Sequence, residues 1–172
     1  GGPRFVMAEG ERGRGGRGRV YFEGGTFSAH AEYMKAGLIM LGYLAGHAAT
    51  VYPKLARTGE RLRRGIERVF AEAGVPARCT GDGNDIVPGS SLFMVHFPRQ
   101  AGVAYDRPED ILDGRRSNIP LREDLLKLAL LVHGVNVVHG GGAVSLAHGA
   151  REIDATLAAY AEVARLFAKY LD

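Results

Sequence analysis

The chain has 172 residues, of which 46% are hydrophobic and 24% charged, and its formal net charge is +3. That length supports a domain with a substantial core, and that balance excludes wholesale disorder. The small basic excess is too dispersed to require nucleic acid as a partner, and the single cysteine, Cys79, excludes an internal disulfide and a cysteine-built metal site.

No secretory signal is visible, so a reducing cytoplasm is expected. The chain opens with Gly1-Gly2-Pro3 rather than methionine, which points to a fragment or a processed product. Gly10–Arg19, GERGRGGRGR, reads as a surface loop feeding the strand that follows. An RGG-type nucleic-acid contact is the weaker alternative, because the segment is short, unrepeated and not interleaved with aromatics.

Arg19–Glu23 reads as a strand, and a helical pattern begins at Ser28 with Met34, Leu38, Leu41 and Ala45 on one face. Its apolar run, Ala36–Ala45, is about half the ~20 residues that a bilayer span needs, so a buried helix is expected instead. Gly46 and His47 interrupt it. A second helix is expected after an N-cap at Thr50, with Pro53 tolerated in its first turn. Val51, Leu55, Leu62, Ile66, Val69 and Phe70 form its core stripe. Lys54, Arg57, Arg61, Arg63 and Arg64 form its solvated face, and Gly74 and Pro76 stop it.

Ala77–Thr80 and Ser91–Phe97 read as strands joined by a turn at Gly81–Asn84. Residues 98–118 read as a polar excursion. Pro120 opens a helix carrying Leu121, Leu125, Leu128, Ala129 and Val132, with Gly134 at its C′ position. Val135–Val138 and Ala143–Ala147 read as short strands flanking Gly140-Gly-Gly142. A last helix places Ile153, Leu157, Tyr160, Ala164, Phe167 and Leu171 on one face. Strand pairs with helices between them predict an α+β unit, its antiparallel sheet covered on one side. The first strand and the helix after it do not belong to that unit.

Residue types alone assemble no catalytic set. His139 and His148 flank the glycine turn, but a metal would need a third ligand. His96, in an apolar strand, reads as a satisfied core residue. Cys79 lacks an activating neighbour. The four lysines, Lys35, Lys54, Lys127 and Lys169, all fall on helices and read as surface charges, whereas an imine-forming lysine must be desolvated. Gly24-Gly25-Thr26, between strand and helix, has the donors for an anion: close backbone N–H groups, a hydroxyl and a helix N-terminus. On pattern alone a plain turn is the simpler reading.

Four segments in fixed order add to that reading. Gly25-Thr-Phe-Ser-Ala-His-Ala-Glu-Tyr-Met-Lys-Ala-Gly37 resembles the GTFSGNPLAMAAG-type segment of class III aminotransferases, which are pyridoxal-phosphate enzymes of fold type I. Gly89-Ser-Ser-Leu-Phe93 is similar to the GSMF strand of one branch, the glutamate-1-semialdehyde 2,1-aminomutases, and His133-Gly-Val135 to its GVY step. Val144-Ser-Leu-Ala-His148 with Glu152-Ile-Asp154 resembles that branch's SLAH…DID ending. The matches cover most of residues 19–168.

The resemblance implies the C-terminal part of such an enzyme. Residues 1–47 would end the large cofactor-binding domain and begin a linking helix, and residues 48–172 would be the small domain. It implies pyridoxal 5′-phosphate as cofactor, with the Schiff-base lysine upstream of Gly1, since Gly1-Gly2 and Arg4–Met7 resemble the stretch that follows that lysine. It assigns Gly25 and Thr26 to the phosphate of a cofactor held chiefly by the other subunit. A homodimer acting on a small amino acid or amino-aldehyde follows, with no nucleic acid or membrane partner. Three positions depart from the pattern. His30-Ala31 replace the family's Asn-Pro. Ser145 stands where many members carry a carboxylate-binding arginine, which favours the aminomutase-like branch. Val138–Ala143 lacks the PSQFE of true aminomutases, which leaves the substrate open. The rival reading is a non-enzymatic α+β module that binds a partner through exposed helices.

Overall fold

The computed structural model describes residues 30–83 and 89–170, and the chain divides into two units, Gly1–Gly46 and His47–Asp172. The expected strand Arg19–Glu23, the loop Gly10–Arg19, the helix start at Ser28, and Asn84 and Leu171 lie outside the described residues.

In the first unit, helix α1 spans Ala31–Gly46. Its expected burial is not found: Leu38 is 72% exposed and Leu41 66%, and Ile39 and Met40 are exposed as well. The helix is apolar on all sides, so no single stripe selects a core face.

The second unit runs through α2 (Ala48–Glu72), β1 (Arg78–Thr80), β2 (Leu92–His96) and a short α3 (Pro108–Leu112). A π-helical segment, Leu121–Leu126, then runs into α4 (Lys127–Val132), followed by β3 (Gly141–Ala143) and α5 (Ala150–Tyr170). The sheet order is β1-β2-β3, antiparallel throughout, with Cys79 opposite Val95 and Phe93 opposite Gly142. Helices α2 and α5 bring Leu62, Ile66, Phe70, Ile153, Tyr160, Ala164 and Phe167 into one core with Phe93, Val95 and Phe97 of the sheet side. Phe70 is central. Its ring meets Phe97 edge-on at 5.2 Å and Tyr160 at 6.2 Å, arrangements that add to simple area burial.

Two helices end in the same way. After α2, Val75 N donates to Phe70 O and Gly74 N to Ala71 O. After α4, Val135 N donates to Leu130 O and Gly134 N to Leu131 O. These are Schellman closures, and each needs a left-handed residue, supplied by Gly74 at φ 77 and Gly134 at φ 79.

Several expectations are corrected. Helix α2 begins at Ala48 with His47 as N-cap, and Thr50 sits inside the first turn, its Oγ1 donating back to the His47 carbonyl at 3.0 Å. The residue range 98–118 contains α3, opened by Pro108 and by Asp110 accepting from the Arg107 N–H at 3.0 Å. Val135–Val138 is not a strand, and of Ala143–Ala147 only Ala143 joins one, as the last residue of β3. The glycines themselves pair with β2, because only residues without Cβ allow the chain to lie so close to Phe93 and Met94. Val138 and Gly141 close a two-residue turn in which both His139 (φ 53) and Gly140 (φ 75) are left-handed.

Arg63, expected on the solvated face, is only 3% exposed. Its Nη1 donates to the carbonyls of Gly81 (3.0 Å), Ser90 (3.1 Å) and Leu92 (2.6 Å), and Nη2 pairs with Glu60 at 2.9 Å. One turn earlier, Gly59 lies against Ser90, whose carbonyl a Cβ would strike. The chain thus approaches α2 closely enough for a guanidinium to gather carbonyls that leave the ladder at the strand ends.

Candidate functional site

The side of β2 opposite the apolar core carries a connected polar cluster. Alternation along the strand sends Phe93 and Val95 to the helices, and Leu92, Met94 and His96 the other way. His96 is fully buried nevertheless, its ring lying 4.6 Å from that of Tyr105. Arg122 Nη1 donates to its Nδ1 at 3.1 Å. A guanidinium has no acceptor, so Nδ1 must be bare and Nε2 must carry the proton, which it donates to Thr80 Oγ1 at 2.9 Å. Burial, and then the Arg122 charge, push the His96 pKa down to about 4.

Arg122 is 2% exposed, and the π-helical segment delivers it to this face. Its Nε and Nη2 meet Glu123 Oε1 at 2.9 and 2.8 Å, and Nη1 also reaches the Ile111 carbonyl at 3.1 Å. Glu123 Oε2 lies 2.7 Å from His139 Nδ1. Burial alone would raise the Glu123 carboxyl, but hydrogen bonds from His139 and Arg122 outweigh it and hold the group below its ordinary range. Tyr105 Oη and Ser117 Oγ complete the cluster at 2.6 Å.

Chemically, this is a neutral imidazole between a hydroxyl and a compensated arginine. With Nδ1 blocked and Nε2 already protonated, His96 cannot take a proton from Thr80. The cluster fixes α3, the π-helical segment and the 138–141 turn around the sheet; it is not an acid–base dyad. His96 is thus the satisfied interior residue its sequence context predicts, and its polar partners are what that context left out. Beside it lies an apolar cleft of about 480 Å³, lined by Leu92, Met94, Ile111, Val138 and Ala143.

The sequence-predicted candidates fare differently. Gly25 and Thr26 lie outside the described residues. All four lysines sit exposed on helices, Lys54 donating to the Leu146 carbonyl at 3.3 Å, so none is desolvated. His139 and His148 do not converge: His139 meets Glu123, whereas His148 Nδ1 accepts from the Ser145 N–H at 2.8 Å. No metal-binding group occurs among the described residues. Cys79 is buried and its thiol pKa is pushed up by burial, so it has no thiolate to offer. No described helix is long and apolar enough to cross a membrane.

The family-like segments within the described residues have structural tasks. Gly89-Ser-Ser-Leu-Phe93 carries the Ser90 and Leu92 carbonyls that Arg63 holds. His133-Gly-Val135 is the Schellman closure of α4. Ser145–His148 is a turn closed by the histidine ring, and Asp154, one helical turn into α5, pairs with Arg61 at 2.5 Å.

No family model matches the chain. Over 89 residues it is 39% identical to a glutamate-1-semialdehyde 2,1-aminomutase from Halobacterium salinarum, an alignment covering 49% of this chain and 18% of that protein. An omega-transaminase from Sphaerobacter thermophilus matches 85% of this chain and 30% of its own, with a TM-score of 0.60 and 29% identity. A β-phenylalanine aminotransferase from Variovorax paradoxus matches 68% of this chain and 24% of its own, with a TM-score of 0.52 and 27% identity. A transaminase solved with pyridoxal phosphate bound matches 94% of this chain and 32% of its own at a TM-score of 0.59, and at 21% identity that likeness concerns the fold alone. The chain therefore spans less than a third of the length of each of these proteins. Over about half its length the chain is thus similar in sequence to a glutamate-1-semialdehyde 2,1-aminomutase, and over most of it similar in fold to transaminases.

Proposed function

We propose that this chain is part of a pyridoxal-phosphate-dependent aminotransferase or aminomutase, nearest in kind to glutamate-1-semialdehyde 2,1-aminomutase. Residues 48–172 serve as its small domain and residues 1–47 as the end of its cofactor-binding domain. The carrying observation is the agreement of two likenesses: 39% identity to an aminomutase over 89 residues, and a transaminase fold matched over 85% of the chain.

On this reading pyridoxal phosphate supplies the electron sink, and the protein supplies binding and orientation. The amine that anchors the cofactor comes from polypeptide outside this sequence, because each of the chain's own lysines is exposed on a helix. By its motif, the chain's contribution is Gly25 and Thr26: backbone N–H groups and one hydroxyl donating to the cofactor phosphate across a homodimer interface. The substrate is a small amino acid or amino-aldehyde, and the assembly works in the cytoplasm. The observation on the lysines also favours the rival reading, a partner-binding module with no chemistry of its own.

Co-expression with the lysine-bearing N-terminal portion of a relative separates the two. The enzyme reading predicts a co-purifying assembly that retains pyridoxal phosphate, visible as cofactor absorbance. Two soluble halves that neither associate nor retain the cofactor would favour the module.

A further inference from the structure

The antiparallel sheet is sealed on one side only. Helices α2 and α5 close the side where Phe93 and Val95 are buried. On the other side the cleft of about 480 Å³ stands open, with Leu92 56% and Val138 63% exposed at its rim. Met94, Ile111 and Ala143 continue its wall, and no charged side chain lines it. Large apolar residues gathered round one cavity, unlike those scattered singly over a surface, mark a place where another body packs.

A single hydroxyl interrupts the apolar wall. Thr80 stands opposite Met94 in the β1–β2 ladder, which puts its side chain on the cleft side of the sheet. The cluster beneath fixes its role. Arg122 donates to Nδ1 of His96, so Nε2 carries the ring proton and Thr80 Oγ1 accepts it. The hydroxyl keeps a proton of its own, which has no acceptor among the described residues. Hydrogen bonds in a chain polarise one another, so accepting from His96 makes this O–H a better donor.

We propose that the cleft is a docking surface for the cofactor-binding polypeptide outside this sequence, which lays an uncharged apolar side chain in it and a carbonyl oxygen on Thr80. This rests on the enzyme reading above. The chain spans less than a third of the length of each protein it matches, so such an enzyme has ample polypeptide to cover this face. A small molecule inside the cleft would leave the outer parts of Leu92 and Val138 in water, whereas a polypeptide face covers them. The uncharged wall selects against a charged insert, which would lose its hydration unpaired, and the lone donor selects a carbonyl.

Thiol labelling of Val138→Cys tests this in the full chain, alone and co-expressed with the lysine-bearing N-terminal portion of a relative. Cys79 is buried and adds little background, and Arg165→Cys on α5 is the control. Co-purification reports association independently of labelling. The docking surface predicts that the Val138→Cys thiol labels readily in the chain alone and about tenfold or more slowly in the assembly, with Arg165→Cys unchanged. Val138→Asp should weaken association about tenfold or more, because it buries an unpaired carboxylate. An assembly that retains pyridoxal phosphate while the Val138→Cys thiol reacts as fast as in the chain alone would overturn the docking surface and leave the enzyme reading standing. Halves that do not associate would overturn both. Protection already present in the chain alone would give the cleft to a second copy or to this chain itself, and would overturn the proposal as well.

Discussion

The two faces of the sheet are held by different physics. On the helix side, Phe70, Ile66, Val95, Tyr160 and Val163 are fully buried, and the order there comes from apolar side chains that interdigitate. On the opposite side, His96, Arg122 and Ser117 are buried to a similar degree, but what holds them is a set of donors matched to acceptors. The first face tolerates a change of shape better than a change of polarity. The second depends on every partner being present, since a buried polar group left unpaired loses its hydration with nothing in return.

The contrast predicts a ranking. Phe70→Ala should be the most damaging single change, costing about 4 kcal/mol through lost burial and the cavity left among Phe97, Tyr160 and Phe167. Denaturant unfolding measures it, and a loss below about 1 kcal/mol would show the core to be less tightly filled than described. Arg122→Met keeps the aliphatic stem but strips the charge from Glu123 and the donor from His96. About 3 kcal/mol is expected, recovered in part when Glu123→Gln is added.

Acidity separates the faces next. His96 has a folded pKa near 4 against an ordinary 6.5, so between those values the unfolded chain binds the proton that the folded chain refuses. Stability should therefore fall as the pH drops from about 6.5 to 4, by on the order of 3 kcal/mol in all, with no further loss from this group below that window. In His96→Gln that part of the pH dependence should vanish. The smallest effect is local to a helix end. Gly134→Ala meets no neighbouring atom, so only its left-handed backbone is penalised, at about 1 kcal/mol in a thermal melt.

The same division governs what could be read from the sequence. Ile153, Tyr160, Ala164 and Phe167 lie on the expected face of α5, and Gly134 closes α4 as expected, because periodicity and left-handed glycine are local signals. Arg63 was not legible as a buried residue. Its position in a run of cations gives no hint that three carbonyls from a distant segment converge on it. β3 was misplaced onto its flanks, since a Gly-Gly-Ala strand lacks the β-branched signature and is selected by close contact with β2. The Arg122–His96–Glu123 cluster was missed for the same reason: its members are remote in sequence and only the fold unites them. Of the phosphate motif, Gly25 and Thr26 rest on the sequence alone, while the segments that share their resemblance occupy defined caps and turns of the unit His47–Asp172.

The functional account turns on that threonine. Titrating pyridoxal phosphate into the assembly of this chain with a lysine-bearing N-terminal portion, wild type beside Thr26→Ala, measures its contribution directly. Loss of one charge-assisted donor predicts affinity weaker by about tenfold, with the assembly otherwise intact. Identical affinity in the two proteins would contradict the placement of this hydroxyl at a cofactor phosphate.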